Sequence, residues 1–254
     1  MLERLMTAEV FALMLIFARI GSALILMPGI GENYVSPRVR LLLAGAIAIV
    51  VAPVVAPRLP ALPASVSSMF LLLGGEVGVG LFIGTVARLA LSSLETAGTL
   101  IAFQTGLASA QVFNPLLSDQ GSLVSVLISV VGLVLIFETD MHHLLLRAVV
   151  DSYTPFVPGA LPPIGDFSEM ISRLVARSFA IAMQLSAPFL VLSLVTYIAL
   201  ALITRLMPQL QIFFVALPLQ IGLGFLLLSL TFSTLMMWFL ENFADVIRGF
   251  LAPP

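Results

Sequence analysis

The sequence predicts an all-α, polytopic integral membrane protein of about six long hydrophobic helices, and three observations carry that reading. Hydrophobic residues make up 60% of the 254-residue chain and charged residues only 9%, against about 45–50% and 25% in a soluble domain. The mean hydropathy is +1.17. The apolar residues are gathered into windows that reach the roughly 20 helical residues needed to cross a hydrocarbon core. So few charges cannot cover the surface of soluble domains of this length, and disorder requires the opposite composition.

The windows lie near residues 10–28, 39–58, 68–92, 122–139, 174–204 and 210–240. The first is longer than a signal-peptide core of about 7–15 residues, and no small-x-small cleavage site follows it. It is read as a retained helix ending at Pro28-Gly29. Residues 28–34 form a turn cluster, and 57–63 a short proline-rich link. Pro155, Pro158, Pro162 and Pro163 make 151–171 the longest apparent loop, since such proline density stops a helix from propagating.

Residues 93–121 fit neither class. They are moderately apolar but carry Glu95, Gln104, Gln111, Asn114, Asp119 and the glycines 98, 106 and 121. Residues 96–109 are compatible with helix, whereas Asn114-Pro115 is incompatible with an ordinary lipid-facing one. Two readings stay open: an external loop, or non-helical backbone facing a watery cavity, as in a pore or gate. Orientation is weakly marked. Six alternating spans place Arg4, Arg58, Arg147, Arg173, Arg177 and Arg248 on one side and Arg38, Arg40, Arg88 and Arg205 on the other.

Composition also removes whole classes of chemistry. Without cysteine there is no disulfide, thiolate nucleophile or Cys-metal site. All 11 basic residues are arginine, so neither a Schiff-base lysine nor a Walker A motif exists. A net charge of −2 with no basic run argues against nucleic acid. The motifs HExxH, GxSxG and GxGxxG are absent, and Asp119, Asp140, Asp151 and Asp166 sit in or near loops rather than in facing helices. His142-His143 is the only histidine content. Adjacent histidines are expected on different helix faces, which favours a polar cap at a span end over a metal site. Neither a metal nor another cofactor is expected.

The remaining polar residues sit in apolar surroundings. Glu76 lies in Gly74-Gly75-Glu76-Val77-Gly78-Val79-Gly80, with Gly84 one turn further. An intramembrane carboxylate needs a partner or water, and glycines four apart admit a second backbone. These residues therefore read as a helix–helix contact with Glu76 bonded to a partner, either within the chain or to another subunit. Arg19 lies midway along the first window with no carboxylate at positions 15, 16, 22 or 23, so its partner is expected from elsewhere in the bundle. Arg88, Glu95, Glu138 and Asp140 are expected to snorkel near span ends. The last two windows carry Pro188 and Pro218, a weak pointer to paired broken helices. Between them, residues 204–214 are short enough to force an antiparallel hairpin, with Pro208 at the break and Arg205 placed to neutralise the carbonyl end of the preceding helix.

At this hairpin the chain resembles a known family. The run Arg205-Leu206-Met207-Pro208-Gln209-Leu210-Gln211-Ile212-Phe213-Phe214, followed by Ala216-Leu217-Pro218-Leu219-Gln220-Ile221-Gly222, is similar to that of the FliR/SctT family of type III export-gate proteins. Pro28, Pro37-Arg38-Val39-Arg40, Glu76 in its glycine-rich helix, Gly98, Gln104-Thr105-Gly106, Asn114-Pro115 and Pro188 match in the same order. The likeness spans essentially the whole chain as one domain, 1–254, and the hairpin motif favours the flagellar branch over the injectisome branch. Asn114 stands where the family often has Asp, so a charged latch there is not implied. Gln211 stands where Asn is frequent and preserves the amide.

The resemblance implies a non-enzymatic subunit of a helical export gate in the bacterial inner membrane, within the flagellar basal body and in part on its periplasmic side. Its implied partners are FliP and FliQ homologues, then FlhB and FlhA homologues, unfolded export substrates and membrane lipid. It implies a plug at about 106–121, with Gly106, Phe113, Asn114 and Pro115 as gate residues. Glu76, Gly80, Gly84, Arg205, Pro208, Gln209 and Pro218 are then helix-packing or subunit-contact residues. Two rivals remain at this stage: a stand-alone secondary transporter centred on Glu76, and an intramembrane hydrolase using His142 or His143.

Overall fold

A computed structural model describes residues 2–63, 65–108, 122–159, 164–207 and 212–251. The described residues form helices with no strand among them: α1 (Leu2–Leu26), α2 (Pro37–Val55), α3 (Val66–Gln104), α4 (Leu123–Glu138), α5 (Met141–Asp151), α6 (Ile164–Leu206) and α7 (Ile212–Leu251), with a 3₁₀ turn at Ala56–Arg58. Five helices are long and apolar enough to cross a membrane, or six when α4 and α5, bent by 72°, count as one broken span.

Four elements outrun the sequence windows, the first being α1, which starts at Leu2 rather than near residue 10. α3 continues to Gln104, because its polar residues are satisfied inside the helix. The Thr96 hydroxyl donates to the Ser92 carbonyl at 2.9 Å, and Thr99 to Glu95 at 2.9 Å. α6 begins at Ile164, immediately after Pro162-Pro163, so the expected loop over 151–171 is shorter than proline density implied. α7 continues to Leu251. Pro53, Pro188 and Pro218 lie inside α2, α6 and α7.

The chain divides into two compact units, each built from parts of α3, α6 and α7 together with its own helices. The first comprises Met1–Ala90, Phe137–Leu174 and Phe243–Pro254; the second comprises Leu91–Ile136 and Val175–Asn242. In the first unit, Phe11, Leu15, Ile16, Ile20, Ala23, Leu24 and Met27 form one buried stripe of α1 at helical spacing. Close backbone approach is set by Gly80 and Gly84. A methyl at Gly80 would strike the Ser22 hydroxyl and the Arg19 carbonyl, and one at Gly84 would lie 2.7 Å from the Ala23 carbonyl. Gly74 and Gly78 meet nothing within 4 Å. Phe82 and Phe167 stack at 4.0 Å, with Phe156 edge-on to both.

The turn between α1 and α2 is organised by Arg40. Its Nε donates to the Ile30 carbonyl at 3.0 Å and its terminal nitrogen to those of Glu32 (3.0 Å) and Val35 (3.4 Å). Ser36 caps α2 and Pro37 occupies its first turn, a pairing that suits a helix start.

In the second unit, α4 lies against α3 through small residues. The site of a Gly98 side chain is filled by Ser125, and that of Gly132 by Leu94. The Ser125 hydroxyl donates to the Glu95 carbonyl at 2.8 Å. Outward-facing Val191, Leu194, Val195, Ile198 and Leu202 of α6 are exposed, as expected of a surface that meets lipid or other subunits rather than water.

A direct check is the thermal midpoint in detergent of two glycine variants. Gly80→Val should lower stability by about 1–3 kcal/mol through overpacking, whereas Gly78→Ala, placed in open space, should stay within about 0.5 kcal/mol. Equal midpoints would disprove the close approach at Gly80.

Candidate functional site

Two polar sites stand out, one in each unit. In the first unit, Arg19 and Glu76 form an ion pair at 1% and 2% exposure. Arg19 Nε donates to Glu76 Oε2 at 2.6 Å, and a terminal nitrogen donates to Oε1 at 3.1 Å. The remaining guanidinium donors reach Ser152 Oγ and the Phe156 carbonyl, each at 3.1 Å. The Tyr153 ring lies 3.8 Å from the guanidinium carbon, a cation–π contact. Burial pushes the Tyr153 phenol well above its ordinary pKa, with Arg19 opposing the shift, so the ring stays neutral. Its hydroxyl is buried and has no hydrogen-bond partner among the described residues. Gly80 and Gly84 bring α1 close enough to α3 for the pair to form.

This is the partner that Arg19 and Glu76 each lacked in the sequence. Ser152, Tyr153 and Phe156 carried no advance signal, because the proline-rich region around them reads as loop. A cavity of about 700 Å³ opens beside the pair, lined by Phe70, Leu72, Gly74, Gly75, Val79 and Phe156 among others. Arg88, well inside α3 rather than near a span end, pairs with Glu32 of the α1–α2 turn.

In the second unit, the C-terminus of α3 is gripped by two other helices. Gly106 takes φ +75°, the left-handed value that ends a helix without strain when the residue is glycine. Its N–H donates to the Phe103 carbonyl at 3.4 Å, and the Ala108 N–H to Ala102 at 3.1 Å. Gln220 of α7, two residues beyond Pro218, donates from Nε2 to the Gln104 carbonyl at 2.7 Å. Ser193 of α6 donates to Gln104 Oε1 at 2.6 Å. The Thr105 side chain fills the space left by the missing Cβ of Gly224.

The other expected residues fall as follows. Phe113, Asn114, Pro115, Pro208 and Gln209 lie outside the described residues. Arg205 is exposed in the last turn of α6, and Pro218 is exposed within α7.

His142 and His143 do not point apart as expected. Their ring centroids are 4.0 Å from each other, and the donor atoms of Asp140, His142 and His143 lie within 4.8 Å of one another. The reason is local: both histidines sit in the first turn of α5, directly after Asp140 at φ 58°, and His142 also stacks on Phe137 at 5.0 Å. Asp140 and His143 are exposed and paired at 3.2 Å.

Because the Arg19–Glu76 pair is buried, breaking it from one side is far worse than removing both charges. Glu76→Ala should cost about 3–5 kcal/mol by stranding a guanidinium, and Arg19→Leu combined with Glu76→Leu should recover most of that loss. Thermal or protease stability in detergent reads the difference. Additive losses in the double variant would show that the two side chains do not act as a pair.

Comparison with known proteins places the whole chain. Residues 10–246 match the family described as Bacterial export proteins, family 1. The chain is 38% identical over 242 residues to the flagellar biosynthetic protein FliR of Caulobacter vibrioides, covering 95% of this chain and 96% of that one. It is 31% identical over 228 residues to the flagellar biosynthetic protein FliR of Bacillus subtilis, covering 88% and 87%. The Yop proteins translocation protein T of Yersinia pestis is 31% identical over 184 residues, covering 72% and 70%. With this extent of match, spanning the α1–α3 glycine contact, the capped end of α3 and the α6–α7 hairpin, the chain belongs to the bacterial export proteins of family 1, in company with the FliR proteins.

Proposed function

We propose that the chain is a subunit of the flagellar type III protein export gate. Together with FliP and FliQ homologues, it forms the channel that passes unfolded flagellar proteins across the bacterial inner membrane at the basal body. The observation that carries this reading is the 38% identity to a flagellar biosynthetic protein over nearly the full length of both chains. Support comes from the long apolar helices, several with outward faces that a single copy leaves bare. FlhB and FlhA homologues are further neighbours in this reading.

In this mechanism the chain performs no covalent chemistry and, lacking a nucleotide motif, draws the energy for export from other machinery. Residues 106–121 block the pore at rest, with Phe113 as apolar stopper and Asn114-Pro115 beyond it. An apolar constriction closes a pore by excluding water. Small residues at Gly106, Ala108, Ser109 and Ala110 leave the segment room to move.

The injectisome branch is the second reading, favoured by the likeness to the Yersinia translocation protein but over less of the chain. A transporter centred on Glu76 fits less well, since both carboxylate oxygens are bonded by Arg19.

Co-expression with the native FliP and FliQ homologues, followed by gentle extraction and intact mass measurement, should give one stable hetero-oligomer containing this chain. A chain that purifies alone despite verified partner expression would overturn the gate reading. In the assembled complex, deletion of residues 109–121 should raise ion leak across the membrane, and unchanged leak would remove the plug from the mechanism.

A further inference from the structure

The bend between α4 and α5 gathers three metal-ligating side chains for which the gate reading has no task. Consecutive histidines on a helix normally project about 100° apart. Here α5 starts from Asp140 in the left-handed region at φ 58°, and the rings of His142 and His143 come within 4.0 Å. The turn is closed by its own backbone. The Asp140 N–H donates to the Phe137 carbonyl at 3.3 Å, and the His143 N–H to the Asp140 carbonyl at 3.0 Å. Phe137 also stacks on the His142 ring at 5.0 Å.

The donor atoms of this turn converge. Asp140 Oδ1 and His143 Nδ1 are 3.2 Å apart. Two ligands each about 2.1 Å from one metal lie roughly 3.0 Å apart at a right angle and roughly 3.4 Å apart at the tetrahedral angle. That pair therefore already has the spacing of neighbours in a coordination shell. One donor from each of Asp140, His142 and His143 lies within 4.8 Å of the other two. A tetrahedral shell asks His142 to close by at most roughly 1.4 Å, within reach of its side-chain torsions. A separate observation concerns His142 itself: its Nδ1 is buried and has no hydrogen-bond partner among the described residues, a costly state for a polar atom. An Asp140–His143 hydrogen bond alone would account for the 3.2 Å contact, but not for the second imidazole brought against the first.

We propose that Asp140, His142 and His143 hold one transition-metal dication of the zinc class, with water completing the shell. Two imidazoles and one carboxylate suit zinc, whereas magnesium and calcium take oxygen ligands. Asp140 and His143 are exposed, so an ion can enter from outside the protein. The ligands span the junction at which α4 and α5 bend by 72°. The ion therefore pins this bend and does not join distant helices. The site is independent of the gate reading.

The chain holds two histidines and no cysteine, which leaves little else to compete for zinc. The full chain is purified in detergent with a histidine-free tag, stripped with chelator and dialysed against Zn²⁺. Metal analysis should give one zinc per chain, and Co²⁺ in its place should show the visible bands of a four-coordinate site. His143→Ala and Asp140→Asn should each weaken binding by at least about tenfold, and His142→Ala combined with His143→Ala should abolish it. Asp151→Asn, at the far end of α5, is the control and should bind as the parent does. Zinc should also slow amide exchange at residues 139–143 in the parent and not in the double variant.

No saturable binding by the parent overturns the site. Zinc uptake that the double variant retains overturns it too, and assigns the ion to scattered carboxylates. Should loss of the His142–Phe137 contact unfold the double variant, His143→Ala decides, because that side chain is exposed. Binding equal to the parent then overturns the site, and a loss of about tenfold or more supports it.

Discussion

A peptide group that leaves a helix at membrane depth has no water to bond, so a break there must bring its own partner. Among the described residues, several helix ends and turns are met by particular side chains. Arg40 serves three carbonyls of the α1–α2 turn, Ser36 opens α2, and Gln220 closes α3 from α7. At the sharp bend between α4 and α5, the backbone turns on itself: Asp140 donates to Phe137 and the His143 N–H to Asp140. Short local turns are handled by neighbours in sequence. The end of α3 is handled from a distance of 116 residues, which ties its shape to the placement of other helices.

The same economy governs charge. Arginine stands in for lysine throughout, and its planar donors suit several acceptors at once. Arg19 uses them on a carboxylate, a hydroxyl and a carbonyl while its face rests on Tyr153. An ion pair buried this fully contributes little net stability over apolar packing, but it penalises any arrangement that separates its halves. Its value lies in setting α1, α3 and the turn after α5 in one register, with Gly80 and Gly84 fixing how near α1 can come.

Much of this was legible in the sequence, because apolar windows, prolines and glycines act locally. The membrane class and the positions of all the long helices follow from composition and hydropathy alone. Misplaced ends have a common cause. Glu95 and Gln104 end the apolar window near residue 92, although the helix itself runs on to Gln104, and α6 already begins at Ile164, inside the stretch whose prolines read as loop. Arg19 and Glu76 were each visible as charges needing a partner, but no local rule joins residues 57 apart. Gln220 was visible only as part of a motif; its job depends on where α7 passes α3. The stacked His142 and His143 depend on the left-handed Asp140 before them, a backbone choice that residue type alone does not dictate.

The spacing of the buried pair also bears on how the chain is made. Arg19 emerges from the ribosome 57 residues ahead of Glu76, and bacterial synthesis runs at about 5–20 residues per second. For roughly 3–11 s, then, α1 carries a guanidinium with no counter-ion, near the middle of a nascent span where such a charge disfavours insertion by about 2.5–3.5 kcal/mol. Until then the apolar residues of Glu9–Leu26 must outweigh that cost alone. Completion of α3 supplies the carboxylate that offsets this cost, which ties the energetics of the first helix to a residue made 57 positions later.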